Sequence, residues 1–287
     1  MPAHAVEKAY QAIQKSQSGD IKNPQIGKRL TDLFGECVKF LGGFGRVRLK
    51  SKVPEKEYFA FGGEGKISRP VNQALYIGDV SGWNDLLQRI AKRDFKRADA
   101  TKITQAIYTV AISFCASIDL LKKGDQKTPG TFFEYLIGHL FASRLGINPR
   151  TRLPVLNVDD LKTELPTDFV FDLGKGKPKF HLPVKTSTRE RVIQVWAHQR
   201  VLNGVYGTGL FLGTPVILTE TKNDVARREV VEICLPDQWR LYQMHIAQLR
   251  RIYYLDIPAA YTALNLVFPP LRVRPFGEFF LEADTLS

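Results

Sequence analysis

The feature that most constrains this chain is a change of hydrophobic period at the turn-rich break Lys122-Lys123-Gly124-Asp125-Gln126-Lys127-Thr128-Pro129-Gly130. Ahead of the break, apolar residues recur at helical spacing over residues 5–15, 26–41, 83–95 and 103–121, with short strands and turns over 45–65. Beyond it, a helical stretch at 131–145 stops at Gly146 and is followed by strand-like runs at 169–171 and 179–185. Gly174-Lys175-Gly176-Lys177-Pro178 joins these two runs as a hairpin turn. A helix over 188–202, strands at 216–219 and 230–235 and a helix over 239–252 complete the pattern. Helix, hairpin, helix, strand is the order of an α/β fold, a mixed sheet flanked by helices. We therefore divide the chain into a mostly helical N-terminal region, 1–130, and a sheet-bearing core, 131–287.

Charge narrows the partner. Lys and Arg number 41 against 29 Asp and Glu, a formal net charge of +12, which favours a polyanion through counterion release. Cys37, Cys115 and Cys234 are widely spaced with no CxxC pair, so neither a disulfide framework nor a zinc site is expected. Cys115, within an apolar run, is expected to be a buried free thiol. The N-terminus has no charged leader followed by an apolar stretch, and 104–121 is interrupted by Gln105, Ser113, Ser117 and Asp119. A cytoplasmic protein without a membrane span is the expectation. Gly62-Gly63-Glu64-Gly65-Lys66 lacks the spacing and hydroxyl of a phosphate-binding loop, which argues against ATP-driven chemistry. GxSxG, HExxH and GxGxxG are all missing.

The hairpin carries the chemistry. Asp168 opens one strand in Pro166-Thr167-Asp168-Phe169, and Lys185 ends the next in His181-Leu182-Pro183-Val184-Lys185. That arrangement can bring both head groups to one end of the sheet. A carboxylate there can hold a divalent cation, and an ammonium can orient water and offset charge on a phosphorane. Metal-dependent phosphodiester hydrolysis needs both.

From Thr131 to Thr219, about a third of the chain, the sequence resembles the PD-(D/E)XK nuclease superfamily. The likeness rests on the element order, on Asp168, on Val184-Lys185, and on the run Lys185-Thr186-Ser187-Thr188-Arg189-Glu190-Arg191, a form met in several type II restriction endonucleases. The resemblance implies Mg²⁺-dependent cleavage of double-stranded DNA to 5′-phosphate and 3′-hydroxyl ends. It gives Asp168 and the Val184 carbonyl as metal ligands and Lys185 as the motif lysine. It also implies a homodimer, since cutting both strands calls for two active sites.

Pro183 stands where the motif has its second acid. Three carboxylates compete to replace it. Glu134 lies at the edge of an apolar helix face, although Thr131-x-x-Glu134 also fits a capping box. Glu190 follows the lysine, although Ser187-x-x-Glu190 fits a capping box as well. Asp172 shares a strand face with Asp168 but sits beside the turn. Glu134 is the first choice.

Thr186, Ser187, Arg189 and Arg191 are the candidate DNA contacts, being hydroxyls, backbone N–H groups and charges just beyond Lys185. Gln194, His198 and Gln199 are equally candidates for base contact or plain helix surface. The basic runs 46–52, 92–97 and 250–251 fit phosphate contact or a solvated surface. A repair nuclease that senses DNA structure, or a non-catalytic DNA binder on the same core, would share these features.

Overall fold

The computed structural model describes residues 2–16, 19–63, 65–96, 99–158, 161–224 and 226–286. Four helices dominate the N-terminal region: α1 (Pro2–Ser16), α2 (Pro24–Leu41), α3 (Ser81–Lys92) and α4 (Ala100–Leu121). Between α2 and α3 run β1 (Gly45–Ser51), β2 (Tyr58–Gly63), β3 (Lys66–Ile67) and β4 (Val71–Asn72). Helix α5 (Lys127–Leu145) then leads into β5 (Arg150–Val158), β6 (Leu161–Asp172), β7 (Lys179–Leu182) and β8 (Val184–Lys185). Helix α6 (Ile193–Tyr206) is followed by β9 (Phe211–Gly213), β10 (Val216–Ile217), β11 (Thr221–Asp224) and β12 (Glu229–Glu232). The chain closes with α7 (Pro236–His245), β13 (Ile252–Tyr254), α8 (Ala259–Thr262), β14 (Val273–Pro275) and α9 (Gly277–Leu286).

The central sheet is mixed, as the element order predicts. Strands β5, β6 and β7 form an antiparallel ribbon, and β9 joins β7 in parallel. The ladder β8-β10-β13-β14 is parallel throughout. Lys179 pairs with Phe211 and Lys185 with Ile217, the same offset, so β7 and β8 are one path interrupted at Pro183. A second sheet, β11-β12-β1-β2-β3 with β4 also on β2, pairs strands of the N-terminal region with strands that follow β10. One buried cluster runs from Val6 through α4 and α5 to Leu286, with Phe141 stacked on Phe279 at 3.7 Å.

Several boundaries differ from the sequence expectation for identifiable reasons. Helix α5 starts at Lys127 rather than 131, because Asp125 Oδ1 accepts the Thr128 N–H at 2.9 Å and Pro129 fits the first turn. Thr131 is thus inside the helix, and the capping box with Glu134 does not form. The helix expected over 188–202 is a 3-10 turn, Arg189–Arg191, followed by α6, with no side-chain cap at Thr188. Helix α7 stops at His245 because Gln243 bonds both the N–H (3.0 Å) and the carbonyl (3.2 Å) of Leu249, which turns the chain into β13.

By length and composition α4 could cross a membrane, contrary to the expectation that its polar residues break the apolar run. It is a core helix instead, with 89% of its apolar window buried. Thr104, Thr109 and Ser117 return their hydroxyls to carbonyls one turn back, which satisfies them without solvent.

Helix α5 lies so close to β6 that a Cβ at Gly138 would come within 2.6 Å of Phe169 Cζ. Gly138→Ala should therefore cost about 2 kcal/mol in urea denaturation by overpacking. Adding Phe169→Leu should recover most of that loss; a loss unchanged in the double variant would show that the contact does not limit the packing.

Candidate active site

The β6–β7 ladder ends after the Phe169–Leu182 pair, and beyond it the strands part. Asp168 sits at that fork. Its Oδ2 accepts the Val184 N–H at 2.7 Å and the Lys185 Nζ at 2.7 Å. The carbonyls of Pro183 and Lys185 accept from Val216 and Leu218 at 2.9 and 3.0 Å, facing β10. Peptide groups alternate along a strand, so the Val184 carbonyl faces the opposite edge, toward Asp168.

Glu134 approaches from α5. Burial, then the negative charge of Asp168, push its carboxyl up to about 6, while Lys185 acts in the opposite sense. The structure thus brings Glu134, Asp168, Val184 and Lys185 together. Asp172 lies apart at the turn end of β6, ion-paired with Lys179 and accepting the Gly174 N–H at 3.0 Å. The Glu190 side chain falls outside the described residues.

Among the described residues no group of three or more His, Cys, Asp or Glu is placed to hold a metal. The oxygen donors at the fork are two carboxylates and one main-chain carbonyl. That set is hard, anionic and partly open to solvent, which suits Mg²⁺, an ion that keeps several waters and takes one or two carboxylates.

Behind the fork lies His181, only 1% exposed, its Nδ1 3.0 Å from Gln199 Oε1. Burial lowers this imidazole to about 4, so it is neutral near pH 7. Gln199 is wholly buried and also bonds Asn203 and the Phe211 carbonyl, so it packs α6 on the sheet and cannot reach a base. His198 is half-buried on the same helix; burial lowers its imidazole, and the charge of Asp168 acts the other way.

Thr186, Ser187 and Arg189 line a cleft of about 330 Å³ that extends from the fork toward Lys123 and Lys222. Arg191 is exposed but does not line it. The run 46–52 is largely self-neutralised: Arg48 pairs with Glu57, Lys50 and Lys52 pair with Glu229, and Arg46 stacks 4.7 Å over Phe59. Arg251 pairs with Glu282, whereas Arg250 is exposed; Arg97 falls outside the described residues.

Sequence reasoning missed Glu220. It is fully buried and accepts from the N–H and hydroxyl of Thr188, the N–H of Arg189 (3.4 Å) and the Tyr254 hydroxyl (2.9 Å). Arg189 has φ 40°, in the left-handed region, and Glu220 holds that turn in place. The only signal was a lone acid after the apolar run 216–218. The partner segment is 32 residues away, the offset that also pairs Val184 with Val216.

The fold is similar over nearly the whole chain to the crystal structure of the type IIP restriction endonuclease Kpn2I. The TM-score is 0.80 at 24% sequence identity, covering 99% of this chain and 96% of that one. A further match is the restriction endonuclease PspGI in complex with substrate DNA, with a TM-score of 0.45 at 13% identity over 71% of this chain and 89% of that one. No family model matches the sequence, and no curated protein matches it significantly. The chain has the type II restriction endonuclease fold.

Glu134 has its carboxyl raised above the ordinary 4.5, so ionisation costs the folded state more as pH rises through about 6. With metal chelated, Glu134→Gln should be more stable than the parent by about 1 kcal/mol at pH 7.5, after allowance for solvent screening, and equal to it at pH 4. An equal difference at both values would contradict the assignment. Glu220→Ala strands the Thr188 and Arg189 donors and should lower stability by about 3 kcal/mol, measured by thermal melting.

Proposed function

We propose that this protein is a type II restriction endonuclease that hydrolyses double-stranded DNA at a specific sequence with Mg²⁺ as cofactor. The observation that carries the reading is the contact of Lys185 Nζ with Asp168 Oδ2, 2.7 Å, at a sheet fork faced by a second carboxylate. The full-length likeness in fold supports it.

In this reading Asp168, Glu134 and the Val184 carbonyl hold the cation. Bound Mg²⁺ would lower the pKa of water and offset charge on the phosphate oxygens. Lys185 orients the attacking water and donates to the phosphate as negative charge builds on it. Asp168 fixes the lysine ammonium and the Val184 N–H together, so little reorganisation is needed when DNA binds. Glu134 becomes a carboxylate as pH rises through about 6, or lower with a cation beside it. Thr186, Ser187 and Arg189 contact DNA along the adjoining cleft, with Arg191 reaching it from the exposed turn. The enzyme acts in the cytoplasm as a homodimer, one site for each strand of the duplex.

Digestion of phage DNA with Mg²⁺ tests the reading. Purified protein should yield discrete fragments, and Lys185→Ala or Asp168→Asn should slow cleavage by about a thousandfold or more. Intact duplex at every Mg²⁺ concentration, with tight binding retained, would make the chain a DNA binder and not a nuclease.

A further inference from the structure

A second cationic site lies away from the fork. Lys185 closes β8, whereas Arg250 precedes β13, Arg272 precedes β14 and Gly209 precedes β9. A cavity of about 590 Å³ opens where these parallel strands begin, walled by Arg200, Arg250 and Arg272. Phe211 also lines it and pairs with Lys179, six residues before Lys185, which puts the cavity roughly 20 Å from the fork at strand spacing.

Three observations give the cavity its chemistry. The three arginines are exposed, and among the described residues none enters an ion pair, unlike their neighbours Arg251 and Arg274, which pair with Glu282 and Glu278. Among the described residues no Asp or Glu lines the cavity, so its positive charge has no compensation there. At its edge Phe268 is 81% exposed, an aromatic face left in water beside guanidinium groups.

Guanidinium forks match phosphate oxygens in pairs, and an exposed aromatic ring offers a stacking surface to a base. A second copy of the chain fits less well, because a two-fold contact would set this cationic face against itself. We propose that the cavity is a nucleotide-binding site distinct from the Asp168–Lys185 fork, with phosphate held by Arg200, Arg250 and Arg272 and a base stacked on Phe268. Its source is either a nucleic-acid strand or a free nucleotide. The site stands whether or not the fork cleaves DNA.

A reporter placed in the cavity tests this directly. Trp83, Trp196 and Trp239 are buried, so Phe268→Trp adds an exposed indole whose fluorescence reports on local occupancy. The full-length variant is titrated with a ten-nucleotide thymidine oligomer, with AMP and with inorganic phosphate. Saturable quenching by the oligomer alone identifies a strand as the source; quenching by AMP as well identifies a free nucleotide. Either is expected to weaken about tenfold or more when Arg250→Gln and Arg272→Gln are added, and to persist in Lys185→Ala. Thermal melting checks that the arginine variants remain folded. The proposal is overturned if no probe but inorganic phosphate quenches, or if the arginine replacements leave quenching unchanged. It also fails if those replacements instead convert a dimer to a monomer by light scattering.

Discussion

Everything at the fork depends on one carboxylate oxygen, Asp168 Oδ2. The β6–β7 ladder ends at the Phe169–Leu182 pair, and beyond it the two strands separate. The Asp168 carboxylate takes over both loose ends, accepting the Val184 N–H and the Lys185 ammonium on a single oxygen. Pro183, which stands where the motif has its second acid, faces β10 instead, its carbonyl accepting from Val216. Beyond it the parallel register resumes unchanged, so the departure is local.

The fork is kept open at an energetic cost met elsewhere. Glu134 is desolvated and faces a second carboxylate, which opposes its ionisation. Gly138, one helical turn along α5, lets the helix approach Phe169 closely enough to hold Glu134 there. On the other side, Glu220 takes up the donors of the turn that follows Lys185 and ties them to β13 through Tyr254. Buried polar groups fully satisfied in this way rigidify their surroundings, whereas the same groups half-satisfied would be costly.

The excess of positive charge is unevenly spent. Much of the basic run in β1 is neutralised by Glu57 and Glu229, so a linear count of lysines and arginines overstates the surface there. Uncompensated charge gathers instead along the cleft beyond Lys185 and around the cavity at the other end of the parallel strands. Only exposed, unpaired cations release counterions on meeting phosphate, so these places carry the electrostatic term.

By itself the sequence determined helices α1 to α7 in outline, the α/β class and the hairpin bearing Asp168 and Lys185, because periodicity and turn chemistry act over neighbouring residues, whereas α8 and α9 were not foreseen. Glu134 was legible too, as a carboxylate at the edge of an apolar helix face. Strands β13 and β14, three residues each, carry no period long enough to see, and only the pairing of β13 with β10 and of β14 with β13 defines them. Glu220 became a positioning group only through a register linking segments 32 residues apart, and Gln199, polar on a helix, proved to be buried. The three arginines of the second cavity come from separate segments and were indistinguishable in sequence from arginines that pair. Tertiary structure decided these points because compensation of a charge depends on what the fold brings within a few ångströms, and chain order does not record it.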